Sequence, residues 1–357
     1  APLGEGIHRF RKRKIRNPRQ TLSPSPTLFF DHPFVRCRFQ LDVIDVSTSG
    51  FSVVEKCREG ILTPGMIIPR LNVDFAGVSQ ITCEAQVVYR LEKPDEAARC
   101  GIVILDMDIK DYSLLSGLLA HGLDPHFFTR SPADDEEIWE FFFESGFIYP
   151  AKYSLIQSDL DLFKQNYRRV FENHPEIGRY FTYQENGRIF AHIALVKAYE
   201  RGWLIQHHSS RVREKRRTGF LVLKQIMHYL NDMHRLPSSE MDYAMTYFRP
   251  ENRIPQRIFG DFVESLGDTS ASSVDLFHYL PFPRPERSPE LSSDWAFRPC
   301  TLPDMWEFKT FYNYASGGLF LKAMDVARRG SFDPASGTLE AMYKKAGLLR
   351  RVRFQLF

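Results

Sequence analysis

The sequence predicts a multidomain chain of the β plus α/β class. A small antiparallel β-barrel comes first, then a mixed α/β fold, then a C-terminal helical extension. Three observations predict this. From Thr27 to about Met107, short apolar runs at period two alternate with turn residues, the pattern of a barrel or sandwich. Beyond residue 136 the rhythm lengthens to strands interleaved with amphipathic helices. A Pro-rich stretch, Pro281 to Asp294, then sets off the last segment. The expected parts are a basic arm and linker over 1–26, the barrel over 27–128, the α/β domain over 136–280 and the extension over 295–357.

The barrel strands are expected in "TLFF", "VRCRFQLDVIDV", "GFSVVEK", "MIIPRLNVDF", "ITCEAQVVYRL" and "CGIVILDM". Val35, Cys37 and Phe39 alternate with Arg36, Arg38 and Gln40, as in a half-buried strand. "DYSLLSGLLAHGL" reads as a short closing helix, and Thr129 to Glu137 as a polar boundary. Leu160, Phe163, Tyr167 and Val170 then share a helical face behind Ser158, an expected N-cap. Three strands follow in "RYFTYQENGRIFAHIALVKAYERGWLIQHHSS", the first two joined at Asn186-Gly187, a hairpin dipeptide. "GFLVLKQIMHYLNDM" is a helix with Val222, Leu223, Ile226, Met227 and Leu230 inward. "EMDYAMTYF" reads as a strand, "PQRIFGDFVESLG" as a helix and "SSVDLFHYL" as a last strand. The tail opens strand-then-helix at Phe297 to Tyr312 and ends strand-like in "RRVRFQLF". Its "GGLFLKAM" reads as a core helix or an apolar lid.

Of the 357 residues, 43% are hydrophobic, enough for sizeable cores. The formal net charge is only +3, so bulk phosphate binding along the whole chain is not expected. Positive charge is local instead: one run holds Arg9, Arg11, Lys12, Arg13, Lys14, Arg16 and Arg19, and another spans Arg211 to Arg217. Five cysteines without a CxxC pair argue against a disulfide framework or structural zinc and for a reducing cytoplasm. No run approaches the ~20 apolar residues of a membrane-spanning helix, and the basic, then Ser/Pro-rich start lacks the apolar core of a secretory signal. By itself the first basic run fits nucleic acid, a membrane surface or a small phosphorylated ligand.

The hexapeptide "DVSTSG", Asp45 to Gly50, narrows that choice. Asp45 and Ser47 put hydrogen-bonding groups at a strand end, and Gly50 suits a tight turn. Arg9 and Arg13 stand at RxxxR spacing upstream, with Lys12 and Arg16 as a shifted variant. RxxxR on an arm, then DxSxxG entering a small β-barrel, resembles the PilZ domain over about residues 8–125. That resemblance implies cyclic di-GMP as ligand. It implies that Arg9, Arg13 and Arg16 hold phosphate and stack on guanine, while Asp45, Ser47 and Gly50 read guanine edges. Guanidinium chemistry suits both of the first two tasks. The stretch from Arg13 to Asp45 is longer than the family pattern. A ligand-clamping arm accounts for DxSxxG where a nucleic-acid arm does not.

A second constellation runs strand, basic loop, glycine and helix: "GWLIQHHSSRVREKRRTGFLVLKQIMHYL". A helix N-terminus beside arginines is suited to anions. Arg213, Lys215, Arg216 and Arg217 would add charge-assisted contacts, and Gly219 close backbone approach. Arg216-Arg217-Thr218-Gly219-Phe220-Leu221 resembles the R/Q-x-x-G-x-G/A loop of the GNAT acyltransferases, and the element order over 136–280 follows that fold. The resemblance implies an acyl thioester donor, acyl-CoA or acyl carrier protein, held by Gln206, Arg213, Arg216, Arg217, Thr218, Gly219, Phe220 and, after the next strand, Asn252. Leu221 stands where that family has Gly or Ala, which leaves acyl carrier protein as donor or a weakened site.

Transfer to an amine needs a proton acceptor, an oxyanion donor and an acid for the thiolate. In that fold the oxyanion donor is a backbone N–H of the strand before the loop, here Gln206, His207 or His208. Neighbouring strand residues face opposite ways, so one of His207 and His208 can look into a given cleft. Tyr247 is the candidate acid; Glu140, Glu144, Asp242 and Tyr243 are further candidates. No metal-ligand spacing is present. The expectation is a cytoplasmic, cyclic di-GMP-responsive N-acyltransferase with a small amine or a protein amine as acceptor and no metal. The alternative is a non-catalytic effector whose α/β module is a scaffold for a partner protein. Nucleic acid is not an expected partner.

Overall fold

The computed structural model describes residues 18–55, 60–92, 97–129, 135–211, 217–277, 298–326, 338–350 and 355–356. They form two compact units. One holds the described residues up to Leu195 with His207–Met241; the other holds Val196–Gln206 and the described residues from Asp242 onward.

The first unit begins with a closed antiparallel barrel, the architecture its period-two runs require. Its strands are β1 (Thr27–Asp31), β2 (Arg38–Ser47), β3 (Gly50–Glu55), β4 (Ile67–Phe75), β5 (Ser79–Leu91) and β6 (Ala98–Met107), in the order β1-β2-β3-β6-β5-β4. Inward residues Leu28, Val46, Phe51, Val53, Leu71, Val73, Val87 and Cys100 are wholly buried. Closure removes the open edges that two-sided pairing would otherwise expose. β2 begins three residues later than the alternation at Val35 suggests. Val35 and Cys37 are exposed. The imidazole of His32 accepts from the amides of Phe34 and Val35 at 3.2 Å each, which turns this stretch into the β1–β2 loop. Helix α1 (Ile109–Leu123) follows, N-capped by the Asp108 carboxylate on Lys110 N at 2.8 Å. Asp111 pins it to the barrel by accepting from Thr82 N at 2.9 Å.

The α/β region follows: β7 (Phe127–Phe128), α2 (Asp135–Glu144), α3 (Pro150–Ile156), α4 (Leu160–Arg168), β8 (Gly178–Glu185), β9 (Arg188–Lys197), β10 (Gly202–Ser210), α5 (Thr218–Met233) and β11 (Tyr243–Thr246). The sheet order is β11-β10-β9-β8-β7, with β10 and β11 parallel. The β8–β9 hairpin turns at Asn186 (φ 51°) and Gly187 (φ 78°), the left-handed pair that Asn-Gly supplies. Ser158 is not a cap: the residue before α4 is Asp159, which makes no side-chain cap bond, and Ser158 Oγ donates to its carboxylate at 3.0 Å. On the α4 face Tyr167 is buried but Phe163 is exposed. On α5 the buried stripe is Val222, Leu223, Ile226, Tyr229, Leu230 and Met233; Met227 lies outside it and is exposed.

In the second unit, α6 (Arg253–Pro255) runs through a π-type turn, Gln256–Gly260, into α7 (Asp261–Leu266). The strand expected from Ser272 does not form over its described part, 272–277, where Val274, Leu276 and Phe277 are exposed. The tail is helical: α8 (Leu302–Ser316), α9 (Leu319–Ala323) and α10 (Thr338–Lys345), with β12 (Arg298–Pro299) paired antiparallel to β13 (Gln355–Leu356). A capping box between Thr301 and Asp304 starts α8. Leu321 and Ala323 of α9 are buried, Leu321 in a cluster with Met305 and Val326, so "GGLFLKAM" is a core helix. Tyr343 and Arg350 reach the carbonyls of Lys197 (3.0 Å) and Ala198 (2.6 Å).

Candidate functional site

The hexapeptide DVSTSG forms the β2–β3 hairpin. Ser47 pairs with Gly50, and Thr48-Ser49 are the two turn residues. Gly50 is required for a reason the sequence did not indicate. A Cβ there would stand 2.2 Å from the Ile102 carbonyl oxygen of β6, so the glycine permits close backbone approach. Ser47 Oγ donates to Gly50 O at 3.3 Å, accepts from Ser49 N at 3.4 Å and lies 3.3 Å from Ser49 Oγ, all long contacts. The turn is held more firmly by Ser49 O, which accepts from Ile104 N at 3.0 Å.

Register shifts between Val43 and Asp45, and this irregularity puts Asp45 opposite Ser52. Two cations converge there. Arg19 Nη1 donates to Asp45 Oδ1 at 3.0 Å, and Arg99 Nη2 of β6 donates to Oδ2 at 2.6 Å. Arg19 also donates to Ser52 Oγ. Tyr89 of β5 completes the group, its hydroxyl 3.4 Å from Ser52 Oγ. Burial alone would raise the Tyr89 phenol, but hydrogen bonds with Ser52 and Arg19 and the charges of Arg19 and Arg99 bring it below its ordinary value. Tyr89 lies across from Gly101, where a Cβ would meet its ring at 2.1 Å. The carboxylate is 14% exposed while the two guanidiniums are 43% and 47% exposed, so the cluster presents a cationic face with its anion beneath.

Arg9, Arg13 and Arg16 lie outside the described residues. Arg19 belongs to the same basic run and is the member described; it is bound to the Asp45 carboxylate. Sequence reasoning missed Arg99, Tyr89 and Ser52. Large-opposite-glycine at Tyr89 and Gly101 would have pointed to them, but strand pairing cannot be read from one sequence.

The second constellation surrounds the first turn of α5. Arg217 stands at the N-cap without a side-chain cap bond, and the first turn holds no acidic residue. Thr218 Oγ1 donates to Phe190 O at 3.3 Å, the carbonyl that also accepts from Arg211 N at 2.9 Å. A Cβ on Gly219 would stand 3.1 Å from Ser210 Oγ, so this glycine serves close helix–strand packing. His208 Nε2–H donates to Gly219 O at 2.9 Å, and burial lowers its pKa. An open pocket of about 480 Å³ lies at this turn, lined by Arg217, Phe220 and Leu221 with Asp124, His126 and Tyr183. Leu221 thus lines the pocket wall. Arg213 and Arg216 lie outside the described residues. Arg211 is buried and bound to Glu137 Oε1 at 2.7 Å and to Glu144.

His207 has a different environment from its neighbour. Its backbone is left-handed (φ 56°), and its ring is enclosed by Phe142, Phe147, Tyr167 and Phe171. His192 Nδ1–H donates to His207 O at 3.1 Å while His192 Nε2 accepts from the Tyr167 hydroxyl at 2.6 Å, an arrangement that requires neutral imidazole. Burial pushes His192 down to about 4 and His207 to about 3. Glu144 is held by Arg188 at 3.0 Å.

Gln206, Tyr247 and Asn252 belong to the second unit. Tyr247 is exposed. Asn252 precedes α6 without a side-chain cap bond, and its carbonyl accepts from Gln256 N at 3.1 Å. Asp242 is engaged by Arg201 at 2.6 Å. Among the described residues, no group of three or more His, Cys, Asp or Glu side chains is arranged to hold a metal ion. Nor is any helix of the described residues long and apolar enough to cross a membrane.

No protein-family model and no curated protein sequence matches the chain. Solved structures share its fold weakly. The PilZ domain of YcgR with c-di-GMP, from Escherichia coli, is 15% identical over 30% of this chain and 90% of that one, with a TM-score of 0.27. The MrkH–c-di-GMP complex of K. pneumonia is 13% identical over 32% of this chain and 53% of that one, with a TM-score of 0.28. An acetyltransferase from Streptococcus agalactiae is 14% identical over 44% of this chain and 91% of that one, with a TM-score of 0.31. At these values the likenesses carry nothing about function, which has to be argued from the residues.

Proposed function

We propose that this chain is a cyclic di-GMP-responsive N-acyltransferase that moves an acyl group from an acyl thioester, acyl-CoA or acyl carrier protein, to an amine. The observation that carries the sensor half is the convergence of Arg19 and Arg99 on Asp45 at the DVSTSG hairpin. A half-exposed guanidinium pair suits phosphate, and a carboxylate suits the N–H donors on a guanine edge. Without ligand these groups satisfy one another. With ligand, base donors take over Asp45 and release a guanidinium to phosphate, so no charge is left without a partner. Arg9, Arg13 and Arg16 are further proposed contacts to phosphate and guanine, and Ser47 would add a hydroxyl contact. The half-exposed positions of Arg19 and Arg99 keep the cost of that exchange small.

The acyl-transfer half rests on the first turn of α5. Arg217 and the first amides of the helix, those of Thr218 and Gly219, would hold the anionic part of the donor, with Arg213 and Arg216 as further proposed contacts. The amine nitrogen attacks the thioester carbonyl, the C–S bond breaks, the amine gives up a proton and the thiolate takes one. Of the paired histidines, His208 is the better acceptor: with Nε2–H on Gly219 O, its Nδ1 keeps the lone pair. His207 is enclosed by aromatic rings and suits a positioning role. Tyr247 remains the proposed acid.

A second reading is supported by Leu221. Its side chain on the wall of the pocket narrows the approach to the helix N-terminus, which favours a scaffold that binds a partner protein without turnover. The test has two steps. Calorimetric titration of cyclic di-GMP into the full chain and into Asp45→Ala should give micromolar or tighter binding that the variant loses. Incubation with acetyl-CoA or a longer acyl-CoA and an amine panel, read by mass spectrometry, should give an acylated amine. Binding without any acylated product supports the scaffold reading. No binding overturns the sensor half.

A further inference from the structure

The turn that carries the candidate ligand motif is tied directly to the helix that carries the candidate donor site. Thr48, the residue after Ser47 in DVSTSG, donates its hydroxyl to Asp232 Oδ2 on the last turn of α5. Thr48 is 7% exposed and Asp232 5% exposed. Asp232 lies thirteen residues after Gly219, about 20 Å along the same helix. The barrel holds the C-terminal end of α5 by other bonds as well. Tyr112 OH donates to Tyr229 O at 2.8 Å, Ser113 Oγ lies 2.7 Å from Tyr229 OH, and Ser238 Oγ donates to Asp106 Oδ2 at 2.6 Å just beyond the helix. These three start from α1 and the end of β6. The Thr48 bond starts inside the motif.

We propose that Thr48 and Asp232 are the coupling pair through which occupancy of the DVSTSG turn is transmitted to α5 and its first turn. This rests on the ligand reading above. The physical basis is an asymmetry in how the hairpin is held. Inside the turn, the Ser47 hydroxyl makes long contacts, at 3.3 Å to Gly50 O and to Ser49 Oγ and at 3.4 Å to Ser49 N, and among the described residues the Asp45 carboxylate is held by the exposed guanidiniums of Arg19 and Arg99, which a ligand can replace. A ligand that recruits Asp45 and Ser47 therefore acts on the weakly held side of the turn, one residue from Thr48. The other end of the Thr48 bond is a buried carboxylate, and withdrawing a donor from such a group is costly. Asp232 Oδ1 also accepts from Asn231 Nδ2 at 3.3 Å within the helix, so the bond to Oδ2 is the one by which the carboxylate is tied to the hairpin, and the helix end follows Thr48 because staying behind costs that buried oxygen its hydroxyl donor. A helix is stiff along its axis, so displacement at Asp232 is felt at Thr218 and Gly219.

The experiment is hydrogen exchange on the full chain with and without saturating cyclic di-GMP, following the peptide that spans the first turn of α5. Binding is measured separately by calorimetry. Wild type, Thr48→Val, Thr48→Ser, Asp232→Asn and Ser238→Ala are compared. In wild type, ligand should change the exchange rate of that peptide threefold or more. In Thr48→Val and Asp232→Asn the change should vanish although cyclic di-GMP still binds. Thr48→Ser restores the hydroxyl and should restore the response, and Ser238→Ala, which loses a barrel bond outside the motif, should keep it. Ligand binding to wild type with no change at α5 overturns the coupling and leaves the ligand reading standing. A response that persists in Thr48→Val, or one lost equally in Ser238→Ala, also overturns it. No binding by wild type overturns the ligand reading and the coupling together. If Thr48→Val does not fold, Asp232→Asn against Thr48→Ser decides the matter by the same criterion.

Discussion

Arg99 Nη2 meets Asp45 Oδ2 at 2.6 Å across the width of β3, from a strand more than fifty residues further along the chain. The pair joins the DVSTSG hairpin to β6 and sets the chemistry of the surface above it. If that surface takes cyclic di-GMP, Arg99→Ala should weaken binding about tenfold, close to 1.4 kcal/mol. Arg19→Ala should do the same, and Asp45→Ala should abolish measurable binding. Calorimetry on the three variants checks this. Full-affinity binding by Arg99→Ala would remove β6 from the site.

Gly50→Ala tests whether the last residue of the motif is structural. Its Cβ would collide with the Ile102 carbonyl at 2.2 Å, and backbone cannot swing aside. The expected loss of stability is about 3 kcal/mol, read as a lowered urea midpoint at unchanged slope. Gly101→Ala meets only the half-exposed Tyr89 ring and should cost less than half as much, since that ring can turn outward.

The buried histidines give stability a pH dependence with a definite sign. His192 and His207 have folded pKa values of about 4 and about 3, against an ordinary value of 6.5. Both are depressed, so the unfolded chain takes up protons first as pH falls. Their contribution is fully present above pH 6.5 and is lost progressively between 6.5 and about 3. Urea unfolding at a series of pH values should show stability falling through that window. His192→Gln should make the decline visibly shallower.

Thiol reactivity should separate the cysteines. Cys37 is exposed in the β1–β2 loop. Burial, with the Asp111 charge adding to it, pushes the Cys83 thiol up to about 12, and burial raises Cys100 as well. In the native chain at pH 8, iodoacetamide should label Cys37 at least tenfold faster than Cys83 or Cys100, since only thiolate reacts. Peptide mass spectrometry of a time course measures it.

Leu221 decides between the two readings of α5. Leu221→Ala widens the pocket beside Arg217 and Phe220. It should strengthen acetyl-CoA binding several-fold if the pocket takes the donor, and Arg217→Ala should weaken it by a similar factor. An unchanged affinity in both variants, by fluorescence titration, would place the donor elsewhere.

Much of this molecule was legible in its sequence because local rules carry it. Period-two alternation gave six barrel strands, Asn186-Gly187 gave the hairpin, and the apolar stripe gave α5, since each follows from backbone geometry over a few neighbouring residues. Misreadings arose where something other than the local period decided the conformation or the burial. Val35 and Cys37 continue the alternation but lie in a loop tied by His32. Met227 matches the helical period but falls outside the stripe that the barrel and sheet cover. Ser272 to Phe277 has strand composition, and exposed Val274, Leu276 and Phe277 show that no core took it up. DVSTSG and the loop at Arg217–Leu221 were recognisable as short motifs. What the sequence by itself determined was therefore the order of elements and where its two short motifs stand along them. The tertiary structure alone decided which of them meet: Asp45 with Arg19 and Arg99, Tyr89 with Gly101, Thr48 with Asp232, His192 with Tyr167. These partners stand 12 to 184 residues apart along the chain, and strand order and helix packing, not sequence spacing, set such distances.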